Sequence, residues 1–194
     1  MYLKQKTVEK PVSCSGVGVH SGKKVNLTIK PAPSNHGIKF IRTDLLDCPG
    51  ISAHFNMVVD TSMATVIGYD GFIVSTIEHL MASFAGLSID NALVEIDNYE
   101  MPIMDGSAEP FVRVIRNVGS TALDAPRFVM WLHRVVEVRD GDRLAVLLPG
   151  PQSRITVSID FGERVVQSEG GTAGVGDQGH DALAIVAQVP QCCH

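Results

Sequence analysis

The stretch that decides the fold reads Ser75-Thr76-Ile77-Glu78-His79-Leu80-Met81-Ala82-Ser83-Phe84-Ala85-Gly86. Its apolar residues recur at the i, i+3, i+4, i+7 and i+8 spacing of a helix that buries one face. They are Ile77, Leu80, Met81, Phe84 and Ala85. At about 100° per residue, His79 points away from that apolar stripe and Glu78 lies on its flank. We therefore expect His79 to face either solvent or a cleft.

Glu78 has two interpretations that the helix alone leaves open. The spacing Ser75-x-x-Glu78 is that of a capping box, in which the Glu78 carboxylate accepts from the Ser75 N–H. Gly86 would then end the same helix. Alternatively, a carboxylate beside an imidazole at a helix start can begin a metal-hydrolase site.

The composition is that of a globular protein. The chain has 194 residues, of which 45% are hydrophobic and 19% charged, and its formal net charge is -5. This charge predicts no nucleic-acid partner. No apolar run is long enough for a membrane span, and the N-terminus lacks the apolar region of a secretory signal. We therefore expect a cytoplasmic protein and a monomer.

The cysteines indicate neither a disulfide framework nor a zinc ribbon. Cys14, Cys48, Cys192 and Cys193 show no CxxC pairing. The tip Cys192-Cys193-His194 resembles a metal-binding end, but adjacent cysteines cannot by themselves close a tetrahedral site. Reduced thiols are the simpler interpretation.

A glycine-rich run precedes the first alternating strand. Its sequence is Gly16-Val17-Gly18-Val19-His20-Ser21-Gly22, and no helical pattern follows it. The spacing matches neither the dinucleotide nor the P-loop template, so a turn between strands is favoured over a phosphate loop. His20 at its tip remains a candidate site residue.

The remaining pattern predicts an α+β fold, a two-layer sandwich of a sheet and amphipathic helices. Strands are expected within 3–30, at 38–42 and at 91–97, with a hairpin that turns at Asp70-Gly71. Ser107 is expected to cap a second amphipathic helix that ends at Gly119.

We divide the chain into three parts. The first α+β domain spans 1–120, and a linker of small residues and turn formers follows at 119–126. Strand patterns restart over 127–162 as the beginning of a second, similar domain that is incomplete. The tail at 163–194 is glycine-dense and at best weakly helical near its end, so we expect it to be disordered.

Several motifs, in this order and at this spacing, carry a resemblance to a known family. They are Gly16–Lys23 (GVGVHSGK), Ser75–Leu80 (STIEHL), Gly86–Asn91 (GLSIDN) and Pro102–Ala108 (PIMDGSA), with Arg42-Thr43-Asp44 and Val136–Asp142 (VEVRDGD) in support. Together they closely resemble UDP-3-O-acyl-N-acetylglucosamine deacetylase, a zinc enzyme of lipid A biosynthesis. The resemblance covers roughly residues 3 to 162.

The resemblance implies a hydrolase that removes an N-acetyl group from a UDP-linked acylated glucosamine, at a zinc site between two similar domains. Glu78 matches the family's general base and His79 one of its zinc ligands. His20 is a candidate substrate contact, as is the segment that lines the family's metal cleft, Thr61, Ser62, Met63 and Ala64.

The chain departs from the family's pattern downstream. The family's other zinc ligands form an H-x-x-x-D motif, but Glu137 follows His133 and Ala184 follows His180 at that spacing. Only one of three expected ligands is therefore present, and we expect this chain to be inactive as given. We interpret it as a truncated or frame-shifted deacetylase whose family sequence ends near residue 162.

Two alternatives remain beside the enzyme. The chain could be a non-catalytic fold remnant or binding module that contacts the nucleotide sugar or its acyl chain without metal. It could also be a structural α+β protein, in which Glu78 caps the helix and His79 is an exposed helix residue.

Overall fold

A computed structural model describes residues 3–128, 132–150, 154–160 and 182–190. The chain divides into two compact units, Met1–Arg127 and Phe128–His194. The α+β class predicted from the sequence is confirmed, since the described residues combine β-sheets with two α-helices. No helix among the described residues is long and apolar enough to cross a membrane.

The first unit contains the strands β1 to β10 and the helices α1 and α2. The strands are β1 (Lys4–Val8), β2 (Val12–Val17), β3 (Lys24–Pro31), β4 (Ile38–Arg42), β5 (Ile51–Ser52), β6 (Val58–Asp60), β7 (Val66–Tyr69), β8 (Phe72–Ser75), β9 (Ala92–Ile96) and β10 (Ser120–Pro126). The helices are α1 (Glu78–Leu87) and α2 (Glu109–Val118), and a short 3-10 turn spans Phe55–Met57.

A five-stranded sheet in the order β2-β3-β9-β4-β5 forms one layer of the first unit. Only β4 and β9 run parallel within it. Residues alternate across such a sheet, so Val25, Leu27 and Ile29 of β3 all point into the core. One hydrophobic cluster joins this face to Phe84 of α1 and Phe111 of α2. This packing fixes the position of both helices.

The predicted hairpin lies in a smaller three-stranded sheet, β6-β7-β8. It turns at Asp70-Gly71 as expected, with both residues at positive φ. Ser75 is the last residue of β8, so the chain passes from this sheet into α1 within two residues.

Of the two interpretations of Glu78, the capping box is not observed. The helix begins at Glu78 rather than after Ser75, and no side chain caps its first turn. The N–H of Ser75 is already bound by the Tyr99 carbonyl at 2.8 Å, which removes the partner that Glu78 would need. Gly86 is not the stop either, because Ser88 adopts the left-handed conformation and Ile89 closes the C-terminus by donating to the Phe84 carbonyl.

The linker predicted at 119–126 is also wrong. Ser120–Pro126 is strand β10, which pairs antiparallel with β1 in a two-stranded sheet. If residues 120–126 were an unpaired linker, the backbone groups of β1 along that edge would lack hydrogen-bond partners, which is unfavourable. The first unit therefore runs to Arg127 rather than to residue 120. The predicted end of the second helix at Gly119 is confirmed.

The second unit contains β11 (Val136–Asp140), β12 (Arg143–Gly150), β13 (Arg154–Asp160) and β14 (Ala182–Pro190) in the order β11-β12-β14-β13. The disorder predicted for the tail is wrong at Ala182–Pro190, because this strand pairs parallel with β12 and antiparallel with β13. The pairing uses backbone hydrogen bonds to strands distant in the sequence, which the local pattern of this segment does not reveal. The rest of the tail, 163–181 and 191–194, lies outside the described residues.

Candidate functional site

A strained turn connects β8 to α1. Thr76 is buried and has a φ of 62°, in the left-handed region. A β-branched residue rarely adopts this conformation, which costs roughly 1–2 kcal/mol. Its N–H donates to the Thr65 carbonyl at 3.1 Å, and its hydroxyl lies 3.2 Å from that of Ser75. These contacts hold the turn immediately before the candidate general base, Glu78, and the candidate metal ligand, His79.

Glu78 turns toward the chain that precedes β7. Its Oε1 accepts a short hydrogen bond from the backbone N–H of Thr65, while the Thr65 carbonyl binds Thr76. The side chain is half-buried. One carboxylate oxygen is thus held by the backbone, and Oε2 is left for other partners.

His79 occupies the next position of α1. The residue is half-buried, but its Nδ1 is fully enclosed and has no hydrogen-bond partner among the described residues. Leaving a buried polar atom unpaired costs about 1–3 kcal/mol. A buried ring nitrogen without a hydrogen-bond partner is consistent with a residue whose partner is a metal ion or another bound molecule.

The segment 61–64 leads directly into Thr65, whose N–H donates to the Glu78 carboxylate. Thr61, Ser62 and Met63 are exposed, whereas Ala64 is half-buried. The N–H and hydroxyl of Ser62 donate to Asp60 at 3.0 and 2.7 Å. These two hydrogen bonds lower the pKa of Asp60, and the bond from the hydroxyl has the larger effect. The segment therefore ends one residue before the backbone group that binds Glu78, and its role as a substrate contact stays a prediction.

His20 is exposed, and its turn is held by Glu100. The N–H of His20 donates to Oε1 of Glu100 at 2.8 Å, and the N–H of Ser21 donates to Oε2 at 2.7 Å. Glu100 is 1% exposed. Burial by itself raises the pKa of this carboxyl, but the hydrogen bonds from His20 and Ser21 outweigh it and hold the pKa below its ordinary value.

Glu100 links the His20 turn to the strained turn before α1. It forms an isolated bridge with Ser75, and the carbonyl of Ser75 accepts from the N–H of Met101 at 3.0 Å. Glu100 was not singled out from the sequence. Gly18 is the feature of the sequence that could have indicated Glu100, since a glycine at the end of a strand often marks a place where another part of the chain comes close to the backbone.

We expect Gly18→Ala to lower the free energy of unfolding by about 1–3 kcal/mol, because overpacking a filled site forces its neighbours to move. A Cβ at Gly18 would lie 2.5 Å from Ser21 Oγ and would overlap the Glu100 carboxylate. Urea denaturation measures the change. Gly86→Ala is the matched control, since nothing lies within 4 Å there and alanine should stabilise α1 by up to about 1 kcal/mol. Equal effects at both positions would contradict the packing role of Gly18.

A metal site is incomplete among the described residues. They contain no group of three or more His, Cys, Asp or Glu side chains that could hold a metal ion. A catalytic zinc needs three protein ligands and one open position. His79 fits one such position, and the described part of the chain does not complete a set of three ligands around it.

Comparison with known proteins gives consistent matches. The sequence profile of the family described as UDP-3-O-acyl N-acetylglycosamine deacetylase matches residues 5–180. A protein of Myxococcus xanthus named UDP-3-O-acyl-N-acetylglucosamine deacetylase is 47% identical over 174 residues, which are 90% of this chain and 55% of that protein. Proteins of the same name are 42% identical in Idiomarina loihiensis (89% of this chain, 57% of that protein) and 48% identical in Shewanella halifaxensis (81% and 52%).

Two facts about extent follow from these matches. The chain spans about half the length of the curated relatives it matches. The family match runs to residue 180, past residue 162, where the sequence analysis expects the family sequence to end.

Proposed function

Because this chain belongs to the UDP-3-O-acyl-N-acetylglucosamine deacetylase family, we propose that it supplies the Glu78–His79 part of a deacetylase site. The reaction is the removal of the N-acetyl group from UDP-linked 3-O-acyl-glucosamine in lipid A biosynthesis. The observation that supports this most is the turn before α1. It is followed at once by a carboxylate held by the Thr65 N–H and by an imidazole with an unpartnered nitrogen.

Glu78 is the general base in this proposal. The Thr65 N–H holds Oε1, so the carboxylate keeps one orientation without using Oε2. A carboxylate held in this way can take the proton of an attacking water and later deliver it to the leaving amine. Orientation of this kind lowers the barrier because the group need not be ordered during the reaction.

Zinc is proposed as the group that His79 helps to hold, with further ligands from outside the described residues. When bound, it would lower the pKa of a water molecule and polarise the scissile carbonyl. The unpartnered Nδ1 of His79 supports this assignment.

The substrate contacts are proposed at two places. The segment 61–64 follows β6 and is attached to Glu78 through Thr65, so it can line the cleft near the reacting amide. His20 is connected to the same region through Glu100 and Ser75, and we place it nearer the periphery of the substrate. A cytoplasmic location and a monomeric state are part of the same proposal.

The second candidate function is a metal-free binding module. The observation that favours it is the missing group of three ligands in the part of the chain that the structure describes. Such a module could contact the nucleotide sugar without hydrolysing it.

We expect a chimera to separate the two candidates. Residues 1–160 of this chain are joined to the C-terminal half of the Myxococcus xanthus relative, and acetate release is measured with the UDP-linked substrate. The chimera should bind about one zinc per chain and release acetate, since a catalytic site then has its full ligand set. A chimera that folds and binds substrate but holds no zinc would instead support the binding module. The 194-residue chain alone is the control.

A further inference from the structure

Thr76 is exceptional among the described residues with left-handed backbone. The other non-glycine residues with positive φ are Asn35, Asp47, Asp70, Ser88 and Met104. Asn and Asp tolerate this conformation well, and Ser88 ends a helix in the usual way. Among these residues with positive φ, Thr76 alone has a β-branched side chain, and that side chain is buried.

The surroundings of Thr76 determine its backbone on both sides. Before it, Ser75 donates to the Tyr99 carbonyl and accepts from the N–H of Met101. At the residue itself, the N–H donates to the Thr65 carbonyl. A strained conformation persists only where such contacts over-determine it, and strained residues concentrate at functional sites.

The turn decides which group Glu78 binds. If Thr76 were right-handed, α1 could begin one turn earlier, and the Ser75 N–H would donate to Glu78, as the capping-box spacing indicates, instead of to the Tyr99 carbonyl. In the observed conformation Glu78 instead accepts from Thr65. Both the N–H and the carbonyl of Thr65 are thus bound by residues 76 to 78. The backbone at Thr76 therefore selects whether the Glu78 carboxylate caps α1 or binds the Thr65 N–H.

We propose that Thr76 is a positioning residue, whose left-handed backbone diverts Glu78 from capping α1 to Thr65, beside the segment 61–64. This proposal rests on the proposed function of Glu78 as the general base. The part that concerns the backbone is measurable without any activity.

The test follows the Thr65 amide of the 194-residue chain by NMR, through its chemical shift and its hydrogen-exchange protection. Thr76→Val keeps the branched side chain that disfavours positive φ and loses the hydroxyl contact with Ser75 that helps to hold it there. The turn should therefore leave the left-handed conformation, and the protection of Thr65 should fall about tenfold, as for a lost bond to a charged acceptor. Thr76→Gly adopts positive φ freely and should retain the protection and shift of the parent.

Ser88→Val is the matched control, because it places a branched residue in the left-handed conformation at the other end of α1. It should destabilise the helix and leave the Thr65 amide shift unchanged. The proposal is overturned if Thr76→Val retains the Thr65 protection, or if Thr76→Gly loses it as well. In the chimera, Thr76→Val should lower kcat with little change in KM. An inactive parent chimera would count against the proposed function, while the Thr65 measurement would still decide the role of Thr76.

Discussion

Replacing Glu100 with glutamine is expected to lower the free energy of unfolding by about 2–4 kcal/mol, measured by urea denaturation at neutral pH. The carboxylate accepts from the N–H groups of His20 and Ser21 with different oxygens. The amide of glutamine can accept from one of these donors but turns its own NH2 group toward the other. One N–H of the turn then faces the buried side chain of residue 100 without an acceptor, and the charge that strengthened both bonds is lost.

The same variant should change how stability depends on pH. The pKa of Glu100 is lower in the folded protein than its ordinary value of about 4.3, so the folded state holds fewer protons than the unfolded state. The stabilisation is therefore complete above the unfolded pKa and is lost as the pH falls through the folded pKa. The difference between parent and Glu100→Gln should be largest near neutrality and should shrink below about pH 4.

Two comparisons separate the contribution of Glu100 from that of the other carboxylates. Asp44, Asp60 and Asp105 also have lowered pKa values, but they are present in both proteins and cancel in the difference. Glu109→Gln removes an exposed carboxylate from α2 and should change stability by less than about 0.5 kcal/mol. A difference between parent and Glu100→Gln that stays constant down to pH 3 would show that ionisation of Glu100 does not stabilise the turn.

Local patterns in the sequence predicted the elements but not the partners. The apolar stripe of α1 places Leu80 and Phe84 in the core as expected, because helical periodicity depends only on near neighbours. By contrast, β10 pairs with residues more than a hundred positions earlier, as in the pairing of Val8 with Ser120. Nothing in the composition of Ser120–Pro126 distinguishes such a strand from a linker.

The candidate site was predictable in its residue types and not in its geometry. The adjacent Glu78 and His79 were evident, and the motif order indicated the family that the comparisons confirm. The Thr65 partner of Glu78 was not evident, because the capping-box spacing offered a nearer donor. Glu100 was missed because its donors lie about 80 positions away, where no local pattern connects them.

Glu78→Gln in the chimera should reduce kcat for acetate release by about 10²–10⁴-fold, the usual contribution of a general base. Glutamine can still accept the Thr65 N–H through its carbonyl oxygen, so the turn at Thr76 is preserved. It cannot take a proton from water. KM should therefore change little, and the loss should appear almost entirely in kcat.

The outcome of this substitution distinguishes a base from a cap. If Glu78 served only to order the start of α1, Glu78→Gln would lower the unfolding free energy slightly and leave kcat near that of the parent. Glu95→Gln is the matched control, since Glu95 lies on β9 and is paired with Lys30 away from α1. The proposed role predicts that only Glu78→Gln inactivates, with zinc content unchanged, because the carboxylate acts on the proton of water while His79 holds the metal.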